Sequence, residues 1–130
     1  MQVKNPDELV AAISGSTADA LLVIAMPMLY ARPERIAEAA VARSLPIAIT
    51  GGPGRELTAG GLLCSYTANQ KELFRGAAEC VDRILRGAKP ADIPVEQPLH
   101  YDFIINLKTA RAMGLEVPRS LQVLANELIQ

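Results

Sequence analysis

The sequence predicts an α/β fold built on an open, mainly parallel sheet with helices on both faces. Three observations carry this expectation. Residues 20–24 and 46–50 are short apolar runs without polar alternation, the pattern of strands buried on both faces. Helical periodicity fills the interval between them, so the strands are joined by a crossover and pair in parallel. The chain has 130 residues, half of them apolar and 21% charged, enough for one domain with its own core over residues 1–130.

Asn5-Pro6-Asp7-Glu8 opens the first helix. Asn5 can cap, Pro6 suits the first helical position, and two acids face the positive end of the dipole. Leu9, Val10 and Ile13 form its apolar stripe, and Gly15 is a stop. The first strand, 20–24, ends at Met26-Pro27-Met28. A helix over 33–43 turns Ile36, Ala40 and Val41 inward and is broken at Leu45-Pro46. The second strand covers 46–50. Gly51-Gly52-Pro53-Gly54 and Gly60-Gly61 read as loops, followed by a third strand at 62–66. Asn69 caps a helix over 70–86, in which Leu73, Ala77, Cys80, Val81 and Ile84 recur at helical spacing. Gly87 ends it, and Pro90, Pro94 and Pro98 mark an extended connector. A fourth strand at 102–106 runs into a short helix, 107–113, closed by Gly114. Pro118-Arg119-Ser120 opens a last helix reaching 129.

Composition removes several function classes. The net charge is −1 with no dense basic stretch, and there are two Phe, three Tyr and no Trp. No electrostatic footprint for nucleic acid is seen, and the scarcity of aromatic residues weakens a base-stacking reading further. Cys64 and Cys80 fit no redox or zinc spacing, and His100 is the only histidine. No metal or cofactor is therefore expected. Both cysteines read as small buried apolar residues; a disulfide between them is neither required nor excluded by the sequence. No apolar stretch reaches the ~20 residues that span a bilayer. Met1 is not followed by a basic and then apolar leader, so a cytoplasmic location is expected if the chain is a whole gene product.

Ligands of open α/β sheets sit beyond the carboxyl ends of the strands. That places Met26 and Pro27, Thr50 and Gly51, and Ser65 and Tyr66 as candidate ligand contacts. Hydroxyls, backbone amides and apolar walls suit binding better than catalysis. The alternative for Met26 and Met28 is the core. The glycine loop 51–54 has neither phosphate-binding pattern, and Pro53 removes an amide. Cys64-Ser65-Tyr66 is not a nucleophile elbow. His100 reads as a surface residue. Asp7, Glu8 and Asp19 read as caps and solvated positions, and Glu56 as a loop residue. No carboxylate pair has acid–base spacing, so the chain is not expected to be an enzyme.

Five segments resemble one family in order: ADALLVIAMPM from Ala18, ARPERIAEAAVARSLPIAI from Ala31, GGLLCSYTA from Gly60, RGAAECVDRILRGAKPADIPVEQP from Arg75 and INLKTARAMGLEVP from Ile105. Together they resemble the C-terminal half of the periplasmic substrate-binding proteins of ABC transporters, in the subfamily linked to aromatic amino-acid uptake. The resemblance covers about residues 18–120. It implies one lobe of a type I periplasmic-binding-protein-like fold. It also implies capture of a small amino-acid-like solute between two lobes, delivery to an ABC permease, and a periplasmic or other extracytoplasmic location. Residues 66–98 would be the segment that crosses to the other lobe, with Ser65, Tyr66 and Thr67 as the hinge. Thr67 stands where the family usually has glycine, which would stiffen a hinge that needs a positive φ. The 70–86 helix would pack on the other lobe; alone, it would dock on its own sheet or pair as a homodimer. A second reading is a stand-alone cytoplasmic interaction or regulatory module that reuses the lobe.

Overall fold

The computed structural model describes residues 5–24 and 26–130, with the side chain of Met28 excepted. The Met28 reading lies outside the described side chains. The chain divides into two compact units, Met1–Thr67 with Asp102–Gln130, and Ala68–Tyr101.

In the first unit, α1 (Pro6–Ser14) starts as its residues dictate. The Asn5 Oδ1 accepts from the Glu8 backbone N–H at 2.8 Å, and Asn5 Nδ2 donates to the Glu8 carboxylate at 3.0 Å. Such a reciprocal cap is worth about 1 kcal/mol. α1 buries Leu9 and Ile13 and packs against α2 (Pro33–Ala42), which buries Ile36, Ala37 and Ala40. α2 ends in a Schellman motif. Leu45 N–H donates to the Ala40 carbonyl and Ser44 N–H to that of Val41, both at 2.9 Å. Ser44 occupies the left-handed position with φ 48°, where a Cβ is disfavoured. Ser44→Gly is therefore expected to raise stability by about 0.5–1 kcal/mol, read as a higher urea midpoint with unchanged m-value.

The sheet runs β1-β2-β3-β4-β5, with β1 (Leu21–Ile24), β2 (Ile47–Thr50), β3 (Cys64–Ala68), β4 (Tyr101–Asn106) and β5 (Glu127–Ile129). The pairs β1–β2, β2–β3 and β4–β5 are parallel. Register sorts the side chains. Leu21 lies beside Ile47, and Val23, Ile49 and Ser65 form a row on one face. That face meets α1, α2 and α3 (Gly54–Ala59) in a core of Ile13, Leu29, Ile36, Ile47, Ile49, Leu57 and Leu62. On the other face α6 (Arg119–Leu124) brings Leu121 to Cys64, Phe103 and Ile105 around a small apolar cavity of about 200 Å³.

Several expectations are corrected. The first strand is not buried on both faces: Leu22 and Ile24 are 72% and 71% exposed. β1 is an edge strand, and the face bearing these two residues is open to solvent. Residues 54–59 form a helix rather than a loop, so Glu56 sits in the first turn of α3. The third strand begins two residues later than expected, because Leu62 stays fully buried in the turn that leads into it. The last helix stops at Leu124. There Asn126 fixes the chain to β4, its N–H donating to the Phe103 carbonyl at 2.7 Å and its Oδ1 accepting from Phe103 N–H at 2.8 Å. Residues 127–129 then add β5, and Arg55 of α3 holds Glu127 with two 2.8 Å bonds.

α5 (Leu107–Ala112) is tied to the α3–β3 turn. Asn106 Nδ2 donates to the Thr58 carbonyl at 2.8 Å, its Oδ1 accepts from Thr109 N–H at 3.0 Å, and Thr109 Oγ1 donates to the Gly61 carbonyl at 2.9 Å. Both side chains are buried.

The second unit holds α4 (Gln70–Leu85), capped by Asn69 Oδ1 accepting from Glu72 N–H at 3.1 Å. A 3-10 turn at Pro90–Asp92 leads to residues 94–100, which form neither helix nor strand. His100 is exposed and lies 2.8 Å from the Glu72 carboxylate. No residue of α4 is buried.

Candidate solute-binding rim

Parallel register brings part of the sequence-predicted site together. Ile24, Thr50 and Tyr66 are successive Cα partners across β1, β2 and β3, so they form one row on the open face near the carboxyl ends of these strands. Thr50 is half-buried, whereas Ile24 and Tyr66 are 71% and 56% exposed. The Tyr66 ring meets the Phe103 ring edge-on, centroids 6.3 Å apart at 69°. This pair builds an aromatic step beside a hydroxyl. Gly51 follows Thr50 with φ 79° and Gly52 with φ 58°, a left-handed pair that swings the chain off β2 toward α3. Beyond β1, Met26 is half-buried, and the exposed Pro27 opens a 3-10 turn, Pro27–Tyr30, that buries Leu29.

Ser65 and Thr67 point the other way. Neighbouring residues of a strand face opposite sides, so these two turn from the Tyr66 row into the helical layer. Ser65 is fully enclosed and Thr67 nearly so. Both lie against Gly54: a Cβ there would come within 2.7 Å of the Ser65 Cβ and the Thr67 Cγ2. Thr67 is an ordinary strand residue, since Ser44 is the only non-glycine with positive φ among the described residues. The stiffening argued for a threonine in place of glycine required a positive φ that is not found here.

Two buried hydroxyls, those of Tyr30 and Ser65, have no hydrogen-bond partner among the described residues. Burial, helped by the nearby Glu56 carboxylate, holds the Tyr30 phenol above its ordinary pKa. Tyr30 thus stays neutral through the physiological range. Burial also pushes the Cys64 thiol up, which keeps it protonated and unreactive in the wall of the apolar cavity. Both cysteines are free and only half-buried, where the sequence read them as buried.

No group of three or more His, Cys, Asp or Glu side chains converges among the described residues. No helix among them is long and apolar enough to cross a membrane. The rim offers a hydroxyl, backbone amides and an aromatic step, which are the elements of non-covalent recognition.

No curated protein is significantly similar in sequence. Among solved structures, the chain is similar to an ABC domain from Streptococcus pneumonia in complex with L-Trp, with a TM-score of 0.85 and 24% identity over 99% of this chain and 43% of that one. It is also similar to a conserved domain protein from Vibrio cholerae O1 biovar El Tor, with a TM-score of 0.80 and 19% identity over 94% of this chain and 40% of that one. A third likeness is to the ligand-free, open structure of a substrate-binding protein with adhesive properties from Clostridium difficile, with a TM-score of 0.69 and 20% identity over 98% of this chain and 42% of that one. The chain thus spans about two-fifths of the length of each of these structures. The sequence pattern of the ABC transporter substrate binding protein family matches residues 2–129, almost the full length, and the chain belongs to that family.

Proposed function

We propose that the chain forms one side of a solute-binding cleft and holds a small amino-acid-like solute against the carboxyl ends of β1, β2 and β3. The observation that carries this reading is the row Ile24–Thr50–Tyr66, exposed at the strand ends where open α/β sheets bind ligands. Tyr66, stepped on Phe103, would contact an aromatic or apolar side chain of the solute. The Thr50 hydroxyl and the amides at Gly51 would take its polar end, and Met26 and Pro27 would close the rim. Ser65 and Thr67 support the rim from below rather than touching the solute, which their enclosure against Gly54 favours. The L-Trp bound to the streptococcal structure supports an aromatic amino acid as the first candidate.

In this reading the solute is captured between two lobes and delivered to an ABC permease outside the cytoplasm, and no bond is made or broken. The 66–98 segment belongs to the crossing between lobes. The boundaries of the second unit, at Ala68 and Tyr101, support that assignment. The exposed stripe of α4 marks a docking surface, and in the chain alone a second copy takes it.

Thermal-shift and calorimetric titration of the chain with a panel of amino acids, L-Trp first, tests the solute reading. Saturable binding is expected, weakened about tenfold in Tyr66→Ala, the ~1.4 kcal/mol of one aromatic contact. Ser65→Ala should bind as the parent does. No binding at millimolar concentrations, or loss of binding in Ser65→Ala, would overturn the proposal.

A further inference from the structure

We infer that residues 94–99 are a strap that closes along one flank of α4, seating Leu99 between Leu73 and Gly76 and Val95 beside Cys80. α4 and residues 94–100 already form the two walls of one groove of about 500 Å³, and both belong to the unit Ala68–Tyr101. Both ends of the strap are held. At its end, His100 lies 2.8 Å from the Glu72 carboxylate, and its carbonyl accepts from Asn69 N–H at 3.0 Å. Ahead of it, Ala88 N–H donates to the Arg83 carbonyl at 3.0 Å and Asp92 N–H to that of Lys89 at 2.9 Å. Between these ties Val95 and Leu99 are 96% and 85% exposed. With the ends fixed and Pro94 and Pro98 restricting the chain, laying these two side chains on the helix costs little entropy and removes apolar surface from water.

Gly76 supplies a separate observation. It lies in the interior of α4, on the wall of the groove, where glycine weakens a helix. Its φ is not positive, so the backbone conformation does not call for glycine. A Cβ there would meet nothing within 4 Å, so the open groove does not call for it either. A segment that passes close over the bare helix backbone does, and the strap is within reach of it. An extended chain advances ~3.3 Å per residue, so Val95 can lie ~16 Å from His100, whereas Cys80 lies ~12 Å along α4 from Glu72. The strap therefore has slack enough to settle on the helix. By helical spacing, Phe74, Val81 and Leu85 fall on the other side of Ala77 and stay open to other contacts.

Disulfide trapping on the 130-residue chain reads the closure. In a Cys64→Ala background, Cys80 is the only native thiol. Val95→Cys should then bond to Cys80 within the monomer under diamide, read by mass spectrometry as the loss of both thiols, because a disulfide needs Cα atoms within about 7 Å. Leu99→Cys, seated a turn or more from Cys80, should react about tenfold more slowly. Gly76→Leu places a side chain in open space while the groove is open and in the strap's seat when it closes. It should slow the Val95→Cys reaction about tenfold, with the circular dichroism unchanged. A second readout needs no added cysteine: Val95→Ser should speed alkylation of Cys80 by iodoacetamide several-fold. Absence of the Val95→Cys disulfide overturns the inference. So do equal rates for Val95→Cys and Leu99→Cys, which mark a freely moving segment, indifference to Gly76→Leu, and an alkylation rate unchanged by Val95→Ser.

Discussion

Gly61→Ala is expected to lower the stability of the chain by about 2–5 kcal/mol, the sum of a strained backbone and an overfilled core. Gly61 has φ 116°, a conformation that L side chains rarely adopt. A Cβ at this position would also lie 2.7 Å from the Cβ of Ala37, in the buried face of α2. Neither term can be relieved cheaply. The Ala37 methyl is held directly by the helix backbone, and the Gly61 carbonyl is held by Thr109 Oγ1 at 2.9 Å. The expected drop in melting temperature is roughly 10 °C or more for a domain of this size. A second substitution separates the causes. Ala37→Gly removes the clashing methyl but leaves the φ requirement, so the double variant should lose less than the sum of the two singles by about 1 kcal/mol. Strict additivity would place the whole effect in the backbone. A Gly61→Ala chain that melts with the parent would show that this turn is not built as described.

The turn at Gly61 also marks the boundary of what the sequence discloses. Helix starts were legible because they are local: Asn5 and Asn69 were expected to cap and do so, each through its own side chain. α3 was not legible. It has six residues, begins at a glycine after Pro53, and is too short for a 3.6-residue period to register. β5 escaped for the opposite reason. Residues 119–129 read as one helix, whereas the bonds of Asn126 to Phe103 and the pairing with β4 turn residues 127–129 into a strand. The candidate site was legible as a set of loops, not as a set of directions. Thr50 and Tyr66 share a face because of the parallel register of β2 and β3. The same register turns Ser65 toward Gly54, and a one-residue change would have exchanged them. The uncovered face of β1 could not be read either. An unbroken apolar run states what a strand can bury, not what is present to bury it.

Asn106→Ala carries the second large effect, about 1.5–2.5 kcal/mol, and it reaches the same turn from the other side. The Asn106 amide caps α5 through Thr109 N–H and donates to the carbonyl of Thr58, a residue with no solvent exposure. Truncation removes the cap, worth about 1 kcal/mol, and one of the two hydrogen bonds to the Thr58 carbonyl, worth about 0.5–1.5 kcal/mol; the Gly61 N–H, at 3.1 Å, keeps the other. Asn106→Asp distinguishes the donor from the cap. An aspartate keeps the acceptor for Thr109 but, when ionised, sets a buried negative charge against the Thr58 carbonyl. Burial and that carbonyl raise its folded pKa above the unfolded value of about 3.9. A raised folded pKa contributes stability that is present below the unfolded pKa and is lost as pH rises through the folded one. The deficit of Asn106→Asp relative to the parent should therefore be large at pH 7 and shrink as pH falls toward ~4, where the protonated carboxyl donates as the amide did. Chemical denaturation at both pH values reads this directly. A deficit independent of pH would mean that the donation to Thr58 contributes little and that the cap alone matters. The consequence extends to the rim: Thr58 and Gly61 flank the turn that delivers the chain into β3, and the position of Tyr66 beside Thr50 depends on where that strand begins. Solute affinity should therefore fall in Asn106→Ala while the far-ultraviolet circular dichroism of the folded fraction is preserved.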